Sequence, residues 1–238
     1  MKQTLVTTIL LSGPPFVGKT TILQRFYEML QNSQFLEDRE LIFGRTRFVD
    51  RLFVGPIRID ENRELYHRFF AYGGQDWLST NRRIVLSKIK PDFLIFVANS
   101  QDVNAAGDER LSYKMNQFYW DEMQVIENIS ERLPKIFKAV VINKMDLPGV
   151  VSYQRILSQL KISPSIVVDL DGTIEFPKSM AGEKFTLENE KILELILSTS
   201  KAAIFKTIAI NGVNVDNLLG FVLTLLGFLV QIKESLEV

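Results

Sequence analysis

The chain contains no cysteine and a single histidine, His67, among its 238 residues. Without cysteine it can form no disulfide framework, no thiolate metal site and no thiol nucleophile. One histidine also excludes a histidine-rich metal cluster, and the aromatic sequence around His67 favours a packed side chain over a catalytic one. Chemistry in this protein must therefore rely on oxygen, amide and ammonium groups.

The chain also lacks an excess of charge of either sign. Lysine and arginine total 28, and aspartate and glutamate total 28. Binding by counterion release favours basic proteins, so the composition does not support a nucleic-acid partner. Apolar residues make up 46% and charged residues 24%, which is typical of a globular protein with a sizeable core.

The first apolar run, residues 5–11, has no small-residue cleavage site after it and stops at Gly13. We interpret this run as a buried strand and not as a signal peptide. We therefore expect a cytoplasmic protein, with peripheral association at a membrane as the alternative.

Short apolar runs alternate with helical patterns from residue 4 to about residue 200, which predicts an α/β fold with three layers. The strand candidates are 5–11, 52–59, 64–71, 93–98, 137–142 and 173–177. The helix candidates are 19–31, 78–89, 109–132, 152–160 and 187–199. We expect a mostly parallel six-stranded sheet.

Two local patterns refine this sheet. A polar cluster at residues 60–63 predicts a hairpin between the second and third strands, and hence one antiparallel strand. The continuous apolar run 93–98 predicts a central strand buried on both faces. Residues 161–172 are interpreted as an inserted strand and turn.

Residues 13–20 match the pattern G-x-x-x-x-G-K-[ST] between a predicted strand and a predicted helix. The glycines let the backbone fold around phosphate oxygens, Lys19 adds a positive charge, and Thr20 offers a hydroxyl to magnesium. A turn that merely caps the helix is the alternative. The pattern predicts a P-loop NTPase fold. The expected nucleotide contacts are Gly13, Pro14, Pro15, Phe16, Val17, Gly18, Lys19, Thr20 and Thr21.

Residues 143–146, Asn-Lys-Met-Asp, follow the predicted strand 137–142. The carboxylate of Asp146 can accept hydrogen bonds from N1 and the 2-amino group of guanine, which adenine cannot supply. The stem of Lys144 can lie along the base, and Asn143 can tie this segment to the loop at 13–18. Alone, the tetrapeptide could be a polar turn, but after a phosphate-binding pattern it predicts binding of GTP and GDP.

With these motifs the chain resembles the small Ras-like GTPases over about residues 3–199, and among them most the MglA-like bacterial and archaeal branch. The stretches 69–75, 81–86 and 96–101 also carry the resemblance. In the wider superfamily an Asp that holds magnesium through water begins the segment before Gly74-Gln75. This chain has Ala71 there, so the resemblance implies slow hydrolysis.

The resemblance implies two catalytic roles and two magnesium ligands. Gln75 corresponds to the glutamine that orients the attacking water. Thr46 is the only threonine between the first helix and the second strand and is the expected second magnesium ligand beside Thr20. One arginine of the two presumed switch regions is expected to stabilise phosphate charge in cis, with Arg45 as our choice and a solvated surface arginine as the alternative for each. The candidates are Arg45, Arg47, Arg51, Arg82 and Arg83.

Further nucleotide contacts follow from the same resemblance. Gly74 corresponds to the glycine whose backbone N–H contacts the γ-phosphate. Ser179 and Met180, in the loop 178–182, are expected to meet the guanine oxygen. We also expect Lys19 to take part in catalysis, because its charge faces the phosphates.

The expected function is that of a small GTP-binding switch that uses magnesium and hydrolyses GTP slowly. The resemblance implies effector proteins and a GTPase-activating partner of the Roadblock type. A guanine-nucleotide-binding regulatory scaffold with little or no hydrolysis is the first alternative. A small-molecule kinase is the second, although it would leave residues 143–146 without a purpose.

Residues 201–238 are predicted to be a hydrophobic extension to a GTPase domain of residues 1–200. The apolar run 217–232 is shorter than the ~20 residues that cross a bilayer as a helix. Three alternatives stay open: packing on the domain, an interface for a homo-oligomer or partner, and a membrane-surface anchor. Few lysines or arginines flank the run, which disfavours the anchor. Asn211-Gly212 is also typical of a hairpin turn.

Overall fold

The computed structural model describes residues 3–31, 33, 49–72, 88–101, 119–120, 123–124, 137–175 and 201–236. The strands in these ranges are β1 (Gln3–Ser12), β2 (Val49–Arg58), β3 (Arg63–Tyr72), β4 (Phe93–Asn99), β5 (Phe137–Asn143), β6 (Ser163–Val168), β7 (Ile174–Glu175) and β8 (Lys201–Lys206). The helices are α1 (Lys19–Leu30), α2 (Tyr153–Leu160) and α3 (Val215–Leu236), and a 3-10 turn covers Ala209–Asn211.

These strands form one sheet in the order β2-β3-β1-β4-β5-β8-β6-β7. β1 is parallel to both β3 and β4, and parallel pairing continues through β5, β8 and β6. The antiparallel pairs, β2 with β3 and β6 with β7, lie at the two ends of the order. The mostly parallel α/β arrangement is confirmed, as is the hairpin of β2 and β3.

The predicted number of strands is wrong, because the described residues form eight strands where six were expected with an inserted strand at 161–172. The inserted strand is confirmed as β6. Two of the eight, β2 and β7, run antiparallel to the strands beside them at the two ends of the sheet, where one antiparallel strand was expected. β8 was not predicted. Two of its buried residues are Ala202 and Ala203, and alanine has a low β propensity. The predicted strand 173–177 is reduced to the two residues of β7.

Helices cover both faces of the sheet. On β1, Ile9 and Leu11 enter a core shared with α1 and α3, whereas Leu10 enters a second core shared with α2. Alternate strand residues point to opposite faces, so the described part of the chain has three layers. β4 is fully buried from Phe93 to Ala98, which confirms its prediction as a central strand.

The two predicted helices that fall within the described residues are confirmed. α1 buries Ile22, Leu23 and Phe26. α2 begins where the Ser152 side chain accepts a hydrogen bond from the backbone N–H of Arg155, a common helix cap. The predicted helices 78–89 and 109–132 lie largely outside the described residues, and 187–199 lies entirely outside them.

The C-terminal segment belongs to the same fold, which corrects the predicted domain boundary after residue 200. β8 lies inside the sheet between β5 and β6, and α3 packs against α1. Six side chains of α3 are buried in the shared core: Val215, Leu218, Leu219, Val222, Leu225 and Leu226. Of the three alternatives, packing on the domain is the one that these side chains bear out.

Asn211-Gly212 does lie in a turn, but this turn is not flanked by the two strands of a hairpin. Ile208 and Val213 pair in an isolated bridge, and Gly212 closes the 3-10 turn with φ 76°. This 3-10 turn is followed almost directly by α3, which begins at Val215. Within the described part of the chain, no helix combines the length and apolarity needed to cross a membrane.

Candidate functional site

Four parallel strands end at one edge of the sheet and carry the predicted motifs there. β1 leads into residues 13–18, β4 into Ser100, β5 into residues 143–148, and β8 into residues 207–209. In open α/β sheets, ligands bind outside the carboxyl ends of such strands. We call these connections loop 13–18, loop 143–148 and segment 207–209.

Loop 13–18 requires glycine at both ends. Gly13 has φ 135°, and a Cβ atom there would lie 2.2 Å from the carbonyl oxygen of Val97. Gly18 has φ 104°, and its Cβ atom would lie 2.3 Å from Nδ2 of Asn143. Neither approach is compatible with a side chain, so both glycines are fixed by neighbouring strands as well as by the loop's own conformation.

Lys19 lies across the loop that precedes it. Its ammonium group donates hydrogen bonds to the carbonyl oxygens of Gly13 and Pro14, both at 2.7 Å, and the residue is only 7% exposed. The first turn of α1 contains no acidic residue, and Gly18 at its N-cap offers no side chain. The positive end of the helix and the lysine therefore act together on the same small volume.

The other residues of loop 13–18 differ in exposure. Val17 is buried, whereas Phe16 is 82% exposed and has φ 64°, a left-handed conformation that is uncommon outside glycine. Pro15 and Thr21 are partly buried. The loop is therefore anchored in the core through Val17, while the Phe16 side chain faces solvent.

Asn143 joins three pieces of chain at the carboxyl end of β5. Its Nδ2 donates to the carbonyl oxygen of Val17 at 2.8 Å, which confirms the predicted tie to loop 13–18. Its Oδ1 accepts from the Thr207 hydroxyl at 3.1 Å and from the Ala209 backbone N–H at 2.9 Å. The residue is 3% exposed, so these bonds form away from solvent.

Segment 207–209 was not expected at the site, because it falls in the presumed extension. The strand that precedes it could have been detected from Ile204 and Phe205, followed by the polar Thr207. Its pairing with β5 could not, since a local pattern does not specify which strand lies next to which. The loop 178–182, predicted for a similar position, lies outside the described residues.

Loop 143–148 is held from the β4 side and from the β8 side. The Ser100 hydroxyl donates to the carbonyl oxygen of Lys144 at 2.6 Å. The backbone N–H of Met145 donates to the carbonyl oxygen of Thr207 at 3.3 Å. Lys144 itself takes a left-handed conformation, and the next residue but one, Asp146, is exposed. The backbone is fixed, while the carboxylate remains accessible to a ligand.

Asp50, near the start of β2, is a site residue that the sequence pattern did not indicate. Its Oδ2 accepts a hydrogen bond from the Thr20 hydroxyl at 2.9 Å. Thr20 belongs to the first turn of α1, directly after Lys19. The contact therefore places a carboxylate beside Thr20, which is a predicted magnesium ligand.

Several predicted site residues lie outside the described residues: Arg45, Thr46, Gly74, Gln75, Ser179 and Met180. Their roles stay predictions. In the ranges that the structure describes, no group of three or more acidic or histidine side chains is placed to hold a metal ion.

Family models and curated proteins were both searched for relatives of this chain, and neither search found a match.

Proposed function

We propose that this chain is a small GTP-binding protein with a P-loop NTPase fold, a switch that binds GTP or GDP with magnesium and hydrolyses GTP slowly. The observation that supports this most directly is the buried Asn143. It holds a loop suited to phosphate and a loop suited to guanine at the same edge of the sheet. A turn that only capped α1 would need no such connection.

The phosphate groups fit loop 13–18. Lys19 is held within the loop by two carbonyl oxygens, so its charge is positioned before any ligand arrives. The N-terminus of α1 adds backbone N–H groups and a positive field, with no acidic side chain in the first turn to oppose an anion. Such preorganised groups stabilise phosphate charge without reorganisation during the reaction.

Magnesium fits the oxygen donors beside this loop. A Thr20 hydroxyl and the Asp50 carboxylate are hard ligands of the kind that magnesium prefers, and phosphate oxygens complete its coordination in nucleotide sites. When bound, the ion would neutralise charge on the β- and γ-phosphates. Thr20 would hold it directly, and Thr46 is the further ligand that the resemblance implies.

Guanine fits loop 143–148, because Asp146 is exposed on a backbone that Ser100 and Thr207 fix. A rigid carboxylate that accepts from N1 and the 2-amino group would be left unpaired against adenine. Loss of such a partner at a specific site costs several kcal/mol, on the order of 10⁴-fold in affinity. The base preference should therefore be strong.

Hydrolysis would depend on residues of the two presumed switch regions. Gln75 would orient the attacking water, Arg45 would stabilise developing charge, and Gly74 would contact the γ-phosphate. Loss of the γ-phosphate would release the two switch regions and change affinity for effectors. A Roadblock-type activating partner would accelerate the step.

Nucleotide binding is tested by measuring the affinity of the full chain for fluorescent GDP, with GTP, ADP and ATP as competitors. We expect competition by GTP and little by either adenine nucleotide. Lys19→Ala should abolish binding, whereas Gln75→Leu should leave it unchanged and slow hydrolysis, because the glutamine acts mainly on the attacking water. Equal competition by ATP and GTP would exclude the proposed base specificity.

A regulatory scaffold with little or no hydrolysis is the second candidate, and Ala71 favours it. This residue is 1% exposed and brings a methyl group where the wider Ras-like superfamily has a carboxylate. Single-turnover hydrolysis of bound GTP, with and without a candidate activator, separates the two functions. Retention of GTP over hours under both conditions would support the scaffold.

A further inference from the structure

Asp50 and Ala71 lie directly opposite one another in the antiparallel pair β2–β3. Side chains of directly opposed residues lie on the same face of the sheet, with Cβ atoms about 4.5–5.5 Å apart. The carboxylate missing at position 71 is therefore present one strand away, at the same level of the sheet and on the same face.

The Asp50 carboxylate is also in contact with the residue that matters most for a metal. The Thr20 hydroxyl donates its proton to Oδ2 of Asp50 at 2.9 Å. A hydroxyl that donates in this way keeps its oxygen lone pairs available and becomes a better electron donor. Its rotation is fixed as well, so the oxygen is presented in one direction.

We propose that Asp50 is the magnesium-positioning residue of this protein, replacing from β2 the carboxylate that Ala71 cannot supply from β3. It orients the Thr20 hydroxyl and places a negative charge beside the cation bound with the nucleotide. The inference rests on the proposed function. It means that the carboxylate that positions magnesium lies on β2 and not on β3.

The inference is tested with full-length protein and Asp50→Asn, which keeps the shape and an oxygen acceptor for Thr20 but removes the charge. The dissociation constant for fluorescent GDP is measured in EDTA and across a magnesium titration. Glu61→Gln, an exposed carboxylate in the β2–β3 turn, is the matched control.

We expect Asp50→Asn to bind GDP in EDTA as the wild type does, and to need about 10–100 times more magnesium for the same gain in affinity. Glu61→Gln should follow the wild type in both buffers. A parallel titration with Mn²⁺, followed by electron paramagnetic resonance in the presence of GDP, should show the same weakening directly.

Three results would overturn the inference. An Asp50→Asn titration that coincides with the wild type would show that the charge does not act on the cation. An equal loss of GDP affinity in EDTA and in magnesium would show a purely structural role. Absence of GDP binding by the wild type in both buffers would remove the proposed function and this inference with it.

Discussion

At the scale of single residues, two titratable side chains differ in their exposure to solvent: His67 is buried and Asp146 is exposed. His67 is 2% exposed and shares a 2.6 Å hydrogen bond with the Thr7 hydroxyl. Asp146 is exposed at the end of a rigid backbone. The first should affect stability, because burial opposes its charged form, and the second should affect ligand choice, because its charge is accessible.

His67 should make stability depend on pH below neutrality. Burial lowers the pKa of His67 from 6.5 to about 4. Between these values the unfolded ring binds a proton and the folded ring does not, so the unfolded state is favoured as pH falls. The lost stability should begin near pH 6.5, level off near pH 4 and total about 3 kcal/mol.

Urea unfolding at pH 7 and pH 5 measures this dependence. The wild type should lose about 2 kcal/mol between the two values, and His67→Gln should lose much less, because it has no ring to protonate. His67 is the only histidine in the chain, so no other imidazole contributes. Equal losses in both proteins would assign the effect to carboxylates.

Under the proposed function, Asp146→Asn should change the base preference from guanine to xanthine. The amide presents a donor and an acceptor, which match the C2 oxygen and N1–H of xanthine, whereas the carboxylate matches two donors. We expect GDP affinity to fall at least 100-fold and xanthosine diphosphate affinity to rise. Competition binding with both nucleotides checks this, and a variant that loses affinity for both would show that Asp146 stabilises the loop only.

At the scale of elements, the site depends on connections between loops that follow different strands. Loop 13–18, loop 143–148 and segment 207–209 meet at the Asn143 side chain. Loop 143–148 is also tied to Ser100 and to Thr207. These hydrogen bonds between loops therefore supply the rigidity that the proposed recognition of phosphate and base requires.

Asn143→Ala should lower the free energy of unfolding by about 3 kcal/mol, because buried partners in Val17, Thr207 and Ala209 lose their hydrogen bonds. Nucleotide affinity should fall further than stability alone predicts, since two loops are released together. Thr207→Val is the matched control: it removes one of the three bonds and should cost about 1 kcal/mol. Urea unfolding and GDP binding measure both effects. Similar results for the two variants would mean that the three-way connection has no special importance.

At the scale of the whole molecule, the C-terminal segment completes the sheet and one of the two cores. β8 pairs with β5 on one side and with β6 on the other. Phe205 of β8 packs against Phe221 of α3, with ring centroids 5.2 Å apart. Removing this segment would expose strand edges as well as a core, so it cannot behave as a separate unit.

Truncation after Ser200 should therefore abolish folding and not merely weaken it. The six buried side chains of α3 each contribute about 1.5–3 kcal/mol, and their sum matches or exceeds the typical stability of a whole domain, about 5–15 kcal/mol. Circular dichroism, thermal melting and GDP binding of the purified fragment measure the outcome. A soluble fragment that melts cooperatively and binds GDP would restore the boundary at residue 200.

Short-range patterns in the sequence determined the features whose cause is local. The glycines and lysine of loop 13–18, the hairpin of β2 and β3, and the buried run of β4 follow from residue types at fixed spacings. The tie from Asn143 to loop 13–18 was predicted because both motifs carry their structural context with them. The tie is the exception among these features, because Asn143 and Val17 are 126 residues apart, whereas the others depend on neighbours within a few residues.

Only the tertiary structure decided which strands lie side by side. It put β8 beside β5, which brought Thr207 and Ala209 to Asn143 across more than 60 residues of sequence. It also put Asp50 opposite Ala71 and against Thr20. The physical reason is that strand order and register depend on how much apolar surface the whole sheet buries against its helices. That buried surface comes from many segments of the chain together, so no single stretch of the sequence specifies it.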